Sequence, residues 1–263
     1  MEDNKKVILA GAAVICLIVL AIIVYYFFLA DRGPKEQGVV TQQVDTSKTE
    51  SVNEEVTPKE KIVTIQVDLD KSDDIVRDLA GALSSHVQFS SWLTSKNIIR
   101  KFAAAVDNIA NRESPGPNID FFKVKGKFKI EWKSGKAYID PSIYSRYNAV
   151  ADIFNSLDTT SCIKLFQQLK PACQEAYSEL GYPDVDFHKT LEKAISHLLA
   201  VPVVEDDVEV EKKVVTYVFV DQRLENLTNA QKHLFRMGPE NVKIIQDKLR
   251  DFAAGLAQVN NPG

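Results

Sequence analysis

The sequence is poor in the residue types that build metal and nucleophile sites. Its 263 residues include only 4 histidines and 3 cysteines, and no His-Glu-x-x-His pattern occurs, which argues against a zinc hydrolase. It also lacks a glycine-rich phosphate loop and a serine- or cysteine-centred catalytic signature. We therefore expect no cofactor, and these absences argue against an enzyme without excluding one.

One grouping of potential metal ligands does occur, Asp184-x-Asp186-x-His188. In an extended segment these alternate side chains would share one face. The helix that follows, however, needs Asp186 as its N-cap, and no further ligand set is evident. We expect no metal site.

Residues 7–29 lack any charged residue or proline. As a helix they would extend about 35 Å, more than a hydrocarbon core of roughly 30 Å. A cleaved signal peptide would need a small residue where Phe28 stands, and a lipoprotein would need one where Ile15 precedes Cys16. This run therefore predicts an uncleaved, single-pass transmembrane anchor that follows a cytoplasmic segment, residues 1–6.

Lysines next to the predicted anchor indicate its orientation. Lys5 and Lys6 precede it closely, whereas Arg32 and Lys35 follow it. Lysines tight against the membrane favour a cytoplasmic N-terminus. We expect a bacterial inner-membrane protein, integral to the membrane, whose C-terminal domain lies in the periplasm.

The next segment lacks the residues that form a core. Between Gly33 and Lys61 there is no aromatic residue, leucine or isoleucine. Such a segment cannot bury enough apolar surface to offset its ordering entropy, so residues 30–61 are predicted to be a disordered linker. Residues 62–263 are long enough for one globular domain.

Helical periodicity dominates that domain. In the first predicted helix the apolar stripe is Ile75, Leu79 and Leu83, and Pro171 is expected to bend or break a later one. If that later helix is continuous, Cys162 and Cys173 lie about 16 Å apart, too far for a disulfide, and we expect both to be small core residues. The predicted helices begin near Ser72, Ile98, Asp140, Asp158, Asp186, Thr228 and Pro239.

The last two helices meet at Gly238-Pro239. Glycine tolerates positive φ, proline suits a first helical turn, and Glu240 favours the positive end of a helix, so a tight corner is predicted. The final helix carries an apolar seam that packs on its own domain or forms a dimer interface. The seam residues are Val242, Ile245, Leu249, Phe252, Leu256 and Val259.

Two stretches have the period of two that is typical of strands. Lysines alternate with apolar residues from Lys123 to Lys133, and Ser134-Gly135 predicts a turn into a partner strand, residues 136–139. Residues 208–220 are β-branched and aromatic enough for a further strand. The predicted class is α+β, mostly α, with a small β-hairpin.

Several long, ordered motifs resemble a known family. AAAVDNIA, DPSIYSRYNAV, EAYSELGYPDVDFHKTLEKAISHLLAVPV and AQKHLFRMGPENVKIIQDKL are similar to the bacterial family called domain of unknown function 3014. The resemblance covers about residues 69–256. It implies an N-terminal membrane span and polar linker before an envelope domain, and it brings no known activity, cofactor or catalytic residue.

The lysine-rich stretch is a candidate binding surface, formed by Lys123, Lys125, Lys127, Lys129 and Trp132. Lysines with interleaved aromatics could bind anionic lipid headgroups or an acidic envelope polymer. Nucleic acid is not an expected partner outside the cytoplasm. Two structural alternatives stay open: a solvated edge strand, and pairing with the acidic run at 205–211.

A second candidate consists of two polar clusters near helix corners. Such residues commonly satisfy exposed carbonyls, but if the clusters meet they could form a pocket for a peptide or a carboxylate. The first cluster is Tyr144, Arg146 and Tyr147, and the second is Arg236, Glu240 and Asn241.

Together these features predict a membrane-anchored envelope domain that binds an envelope protein, as an interaction or scaffold module. Peripheral binding of anionic lipid or polymer through the lysine-rich hairpin is one alternative. An envelope hydrolase is the other.

Overall fold

The computed structural model describes residues 64–116 and 126–260. The predicted anchor and linker lie outside this range, as do Lys123 and Lys125. Within it, helices and one small antiparallel sheet form an α+β fold that is mostly α, as predicted. None of the helices in the described ranges is long and apolar enough to span a membrane.

Nine α-helices and two short 3-10 helices, Leu69–Lys71 and Pro141–Tyr147, lie in the described residues. The α-helices are α1 Ser72–Ala80, α2 Phe89–Trp92, α3 Ile98–Ala110, α4 Asn148–Ser156, α5 Thr159–Glu179, α6 Phe187–Leu199, α7 Gln222–Glu225, α8 Asn229–Phe235 and α9 Pro239–Asn260.

Local capping explains where most of these helices begin. The carboxylates of Asp140, Asp158 and Asp186 accept hydrogen bonds from backbone N–H groups two or three residues later, which satisfies donors that the first helical turn leaves free. Thr228 and Gln231 form a reciprocal capping box at α8. These starts were predicted from the sequence and are confirmed.

α1 begins at Ser72, as predicted, but one residue of its predicted apolar stripe is wrong. Leu79 and Leu83 are buried as predicted, whereas Ile75 is 39% exposed and Val76 is buried in its place. Asp73 does not cap its own helix. Its carboxylate accepts from the backbone nitrogens of Asn97 and Ile98, at 2.8 and 2.9 Å, and thereby caps α3.

The core lies between the long helices. α3 packs on α5 and α6, and α9 packs on α4, α5 and α6. An aromatic cluster joins the first group, with the Phe187 ring 5.5 Å from Phe102 and 6.4 Å from Phe166. Each of these rings buries a large apolar area, so the cluster contributes strongly to stability.

The seam of α9 packs on its own domain. Val242, Ile245, Leu249 and Leu256 are buried in the common core, and Phe252 packs against it. The side chain of Val259 lies outside the described part.

Pro171 does not end α5, which continues through it to Glu179. Of the two effects predicted for Pro171, a bend or a break, the break does not occur, although one backbone hydrogen bond is necessarily missing there. Cys162 and Cys173 are both buried in the core, as predicted.

The sheet has four strands in the order β1-β2-β3-β4, each antiparallel to its neighbour. The strands are β1 Ile130–Lys133, β2 Lys136–Ile139, β3 Glu209–Lys212 and β4 Tyr217–Phe219. The turn at Ser134-Gly135 is confirmed, and both residues have positive φ, as type I′ hairpin turns require.

Two strand predictions need correction. Residues 208–220 are not one strand, because they fold back at residues 213–216 into the β3–β4 hairpin. The described part of the lysine-rich stretch is extended as a strand only from Ile130 onward, so Lys127 and Lys129 precede the sheet. A strand gains its stability from backbone pairing, and periodicity alone does not show where pairing begins.

Candidate functional site

The outer face of the sheet is charged but balanced. Lys133 Nζ lies 2.7 Å from Asp207 and 2.6 Å from Glu131, and Lys136 Nζ lies 2.9 Å from Glu209. These bonds, chiefly the one to Asp207, raise the pKa of the Lys133 ammonium group. Lys133 and Lys136 therefore pair with the acidic run at 205–211, which is one of the structural alternatives that the sequence left open. Lys127 and Lys129 are exposed.

The inner face of the sheet is apolar and incompletely covered. Trp132, Ala137, Val210 and Phe219 form one cross-strand row on this face. The last three are buried, but Trp132, on the edge strand, is 70% exposed. The row is thus covered at β2, β3 and β4, while the described residues leave Trp132 on the edge strand β1 open.

A groove of about 420 Å³ opens beneath this inner face. Ile139, Val210 and Phe219 form its buried floor. The rings of Phe128 and Tyr217, 5.3 Å apart, lie along its side. The groove thus combines apolar contact area with aromatic surface, the usual composition of a recognition site.

Arg236 is the charged residue that lines this groove among the described residues. It follows the last residue of α8, is exposed, and forms no ion pair with any described residue. Phe235, beside it in sequence, packs edge-on against Phe219 at 5.2 Å and so fixes α8 against the sheet. The guanidinium group is therefore available to a carboxylate ligand.

A second depression, of about 370 Å³, lies at the corner between α8 and α9. Tyr144, Glu240 and Asn241 all line it, so the structure brings these three predicted residues together. Asn241 is buried and holds the corner, because its side-chain nitrogen donates to the carbonyls of Tyr144 and Met237 at 3.1 and 2.9 Å.

The other predicted residues lie elsewhere. Tyr147 is buried in the core, and the Arg146 guanidinium group lies over its ring at 5.1 Å. Arg236 lines the groove. The two clusters therefore meet only in part.

The lining of the corner depression is acidic. Glu205, Asp206, Asp207 and Glu240 line it, and no lysine or arginine does so in the part of the chain that the structure describes. This lining favours a cationic group over a carboxylate. Burial, with a smaller contribution from Asp207, raises the pKa of the Tyr144 hydroxyl.

The candidate metal ligands do not converge. Asp186 caps α6, and the His188 ring is buried with its Nε2 3.3 Å from Glu192. Across residues 64–116 and 126–260, no group of three histidine, cysteine or acidic side chains could hold a metal ion.

Sequence reasoning missed the groove. Its floor residues, Ile139, Val210 and Phe219, come from three strands and resemble any buried strand residue. One feature of the sequence could have indicated the hairpin that lines the groove. Residues 208–220 form a run of thirteen with Lys212 and Lys213 in its middle, which is longer than most strands.

The described domain is a helical fold carrying a small antiparallel sheet, with a groove under the sheet and an acidic depression beside it. A sequence profile for the family described as protein of unknown function, DUF3014, matches residues 98–253, which include both depressions. The chain belongs to this family. No curated protein and no solved structure matches it.

Proposed function

We propose that this protein is a single-pass, membrane-anchored interaction module of the bacterial envelope, with its folded domain on the periplasmic side. The uncharged run at 7–29 and the lysines before it support the anchorage and orientation. The domain binds another envelope protein, and the groove under the sheet is its recognition site.

The observation that carries this proposal is the groove itself. An apolar floor, two aromatic side chains and an arginine without an ion pair to any described residue converge in about 420 Å³. That volume accommodates a few side chains of a partner. The occupant is an apolar segment that bears a carboxylate, since such a ligand satisfies both the floor and Arg236.

Site-specific photocrosslinking in native membranes tests this proposal. A photoreactive residue at Thr216, which lines the groove, is compared with one at Thr160, an exposed threonine of α5 that does not line it. We expect one discrete protein adduct at Thr216, in the membrane fraction, and none of that mass at Thr160.

Arg236→Glu should then reduce the adduct about tenfold, because a charge-assisted hydrogen bond contributes roughly 1.5–3 kcal/mol. Arg223→Glu is the matched control, because Arg223 is exposed on α7 and pairs only with Asp221 within the described chain. Equal adducts at both threonines, or an adduct indifferent to Arg236→Glu, would refute the groove as the site.

A further inference from the structure

The β3–β4 hairpin ends in two adjacent apolar residues that project into solvent. Val214 and Val215 are 95% and 92% exposed. The backbone pairing continues to the end of the hairpin, where Lys213 N donates to Thr216 O at 2.8 Å, so the two valines are the turn residues. Hairpin turns favour asparagine, aspartate and glycine. The requirements of the turn therefore do not explain why both turn residues are valines.

The same end of the sheet carries other features of a membrane interface. Ala137 pairs with Val210, and this register places the Ser134-Gly135 turn and the valine turn at one end. Lys212 and Lys213 directly precede the valines. Trp132 is level with Val210, four residues back from Val214 along the hairpin.

We propose that this end of the sheet docks on the surface of an anionic phospholipid bilayer. Val214 and Val215 enter the boundary of the acyl chains, and the ammonium groups of Lys212 and Lys213 contact lipid phosphates. With the sheet tilted on the bilayer, Trp132, which is amphipathic and 70% exposed, lies near the headgroups, where tryptophan is enriched.

A bilayer fits this tip better than a protein surface does. The two valines form a convex end with nothing recessed between them, and lipid can close around such a shape without a matching pocket. The ion pair of Lys213 with Glu211 does not oppose docking, because both side chains are more than half exposed and water already weakens such pairs.

The docking rests on the proposed membrane anchorage, because the anchorage provides most of its affinity. Residues 30–61 are predicted from their composition to be a disordered linker, which would have an end-to-end distance of about 30 Å and would hold the domain at a high effective concentration near the lipid. Two valines and two lysines alone would bind only weakly. Docking would also orient the groove, which Val215 lines, toward segments of partners close to the membrane.

Tryptophan quenching in nanodiscs tests this docking with the full chain. The discs contain phosphatidylglycerol and phosphatidylcholine with brominated acyl chains. Val214→Trp in a Trp132→Phe background places the reporter at the tip, and Trp92, which is buried, gives a constant background. The matched reporter is Val87→Trp in the same background, because Val87 is 88% exposed in the loop between α1 and α2.

We expect brominated lipid to reduce emission of the tip reporter about twofold and to leave the Val87 reporter unchanged. Replacing Lys212 and Lys213 by glutamine should weaken this quenching in discs with phosphatidylglycerol and change nothing in phosphatidylcholine alone.

Equal quenching of both reporters, or of neither, overturns the docking. A blue shift at the tip without quenching means that protein covers it, which also overturns the proposal. If the lysine variant is quenched as strongly as its parent, the assignment of anionic headgroups is wrong. Failure of the chain to copurify with the discs instead refutes the anchorage.

Discussion

Gly238 separates residues that are close in sequence and serve different surfaces. Two positions before it, Arg236 lines the groove, and two positions after it, Glu240 lines the acidic depression. Gly238 itself has φ of +89° and lies close against the Tyr144 side chain. The corner therefore depends on a residue that has no side chain.

Gly238→Ala tests this dependence. An added Cβ would stand 2.4 Å from Tyr144 Cγ, so both the backbone strain and the clash oppose folding. We expect a loss of about 3 kcal/mol in the free energy of unfolding, measured by urea denaturation. Gly181→Ala is the matched control, because its φ is also positive, at +101°, but nothing lies within 4 Å. It should lose only about 1 kcal/mol, and equal losses would contradict the role of the Tyr144 contact.

His233 gives the domain a pH-dependent stability. Burial, aided by the positive charge of Arg236, lowers the pKa of its imidazole to about 4. Because the folded protein favours neutral His233, this stabilisation is present above the unfolded pKa of roughly 6.5 and is lost as pH falls toward 4.

Between pH 7 and pH 5 the free energy of unfolding should therefore fall by about 2 kcal/mol more in the parent protein than in His233→Gln. Urea titrations at both pH values measure the difference. The lowered pKa of His197 changes the free energy of unfolding in the same way in both proteins, so its effect cancels in the comparison. Parallel losses in the two proteins would show that His233 is not the responsible group.

At the scale of the elements, helices here are joined by caps that come from other helices as well as from their own ends. Asn97, immediately before α3, has φ of +55° and provides no side-chain cap. The carboxylate of Asp73, 24 residues earlier, takes that role. This contact connects the start of α1 to the start of α3, and the local pattern at neither helix reveals it.

Asp73→Ala should cost about 1 kcal/mol of stability, since it removes the acceptor for two backbone donors at the start of α3. Asp74→Ala is the control next to it in sequence. Asp74 is 92% exposed and pairs only with Arg77 in the described chain. Asp74→Ala should therefore reduce the free energy of unfolding by less than about 0.5 kcal/mol. Thermal and urea unfolding of the two variants provide the comparison. A neutral Asp73→Ala would mean that solvent replaces the cap.

At the scale of the whole molecule, the proposed binding surfaces lie on the sheet, while the helices form most of the core. The outer sheet face is neutralised by its own ion pairs, and the inner face and the hairpin tip are the two surfaces for which we propose contacts with other molecules. The proposed anchor and linker would place these surfaces near the bilayer. Groove and tip remain separable by experiment, because Arg236 belongs to the groove and Val214 to the tip.

The sequence by itself determined the family, the helical class, most helix starts, the corner at Gly238 and the apolar seam of α9. Each of these depends on residues within a few positions of one another, so local pattern suffices. Only the tertiary structure decided that Lys133 pairs with Asp207, that residues 208–220 fold back on themselves, and that Arg236 and Glu240 face different depressions. Those outcomes depend on strand register and on contacts between residues tens of positions apart, which periodicity along the chain does not encode.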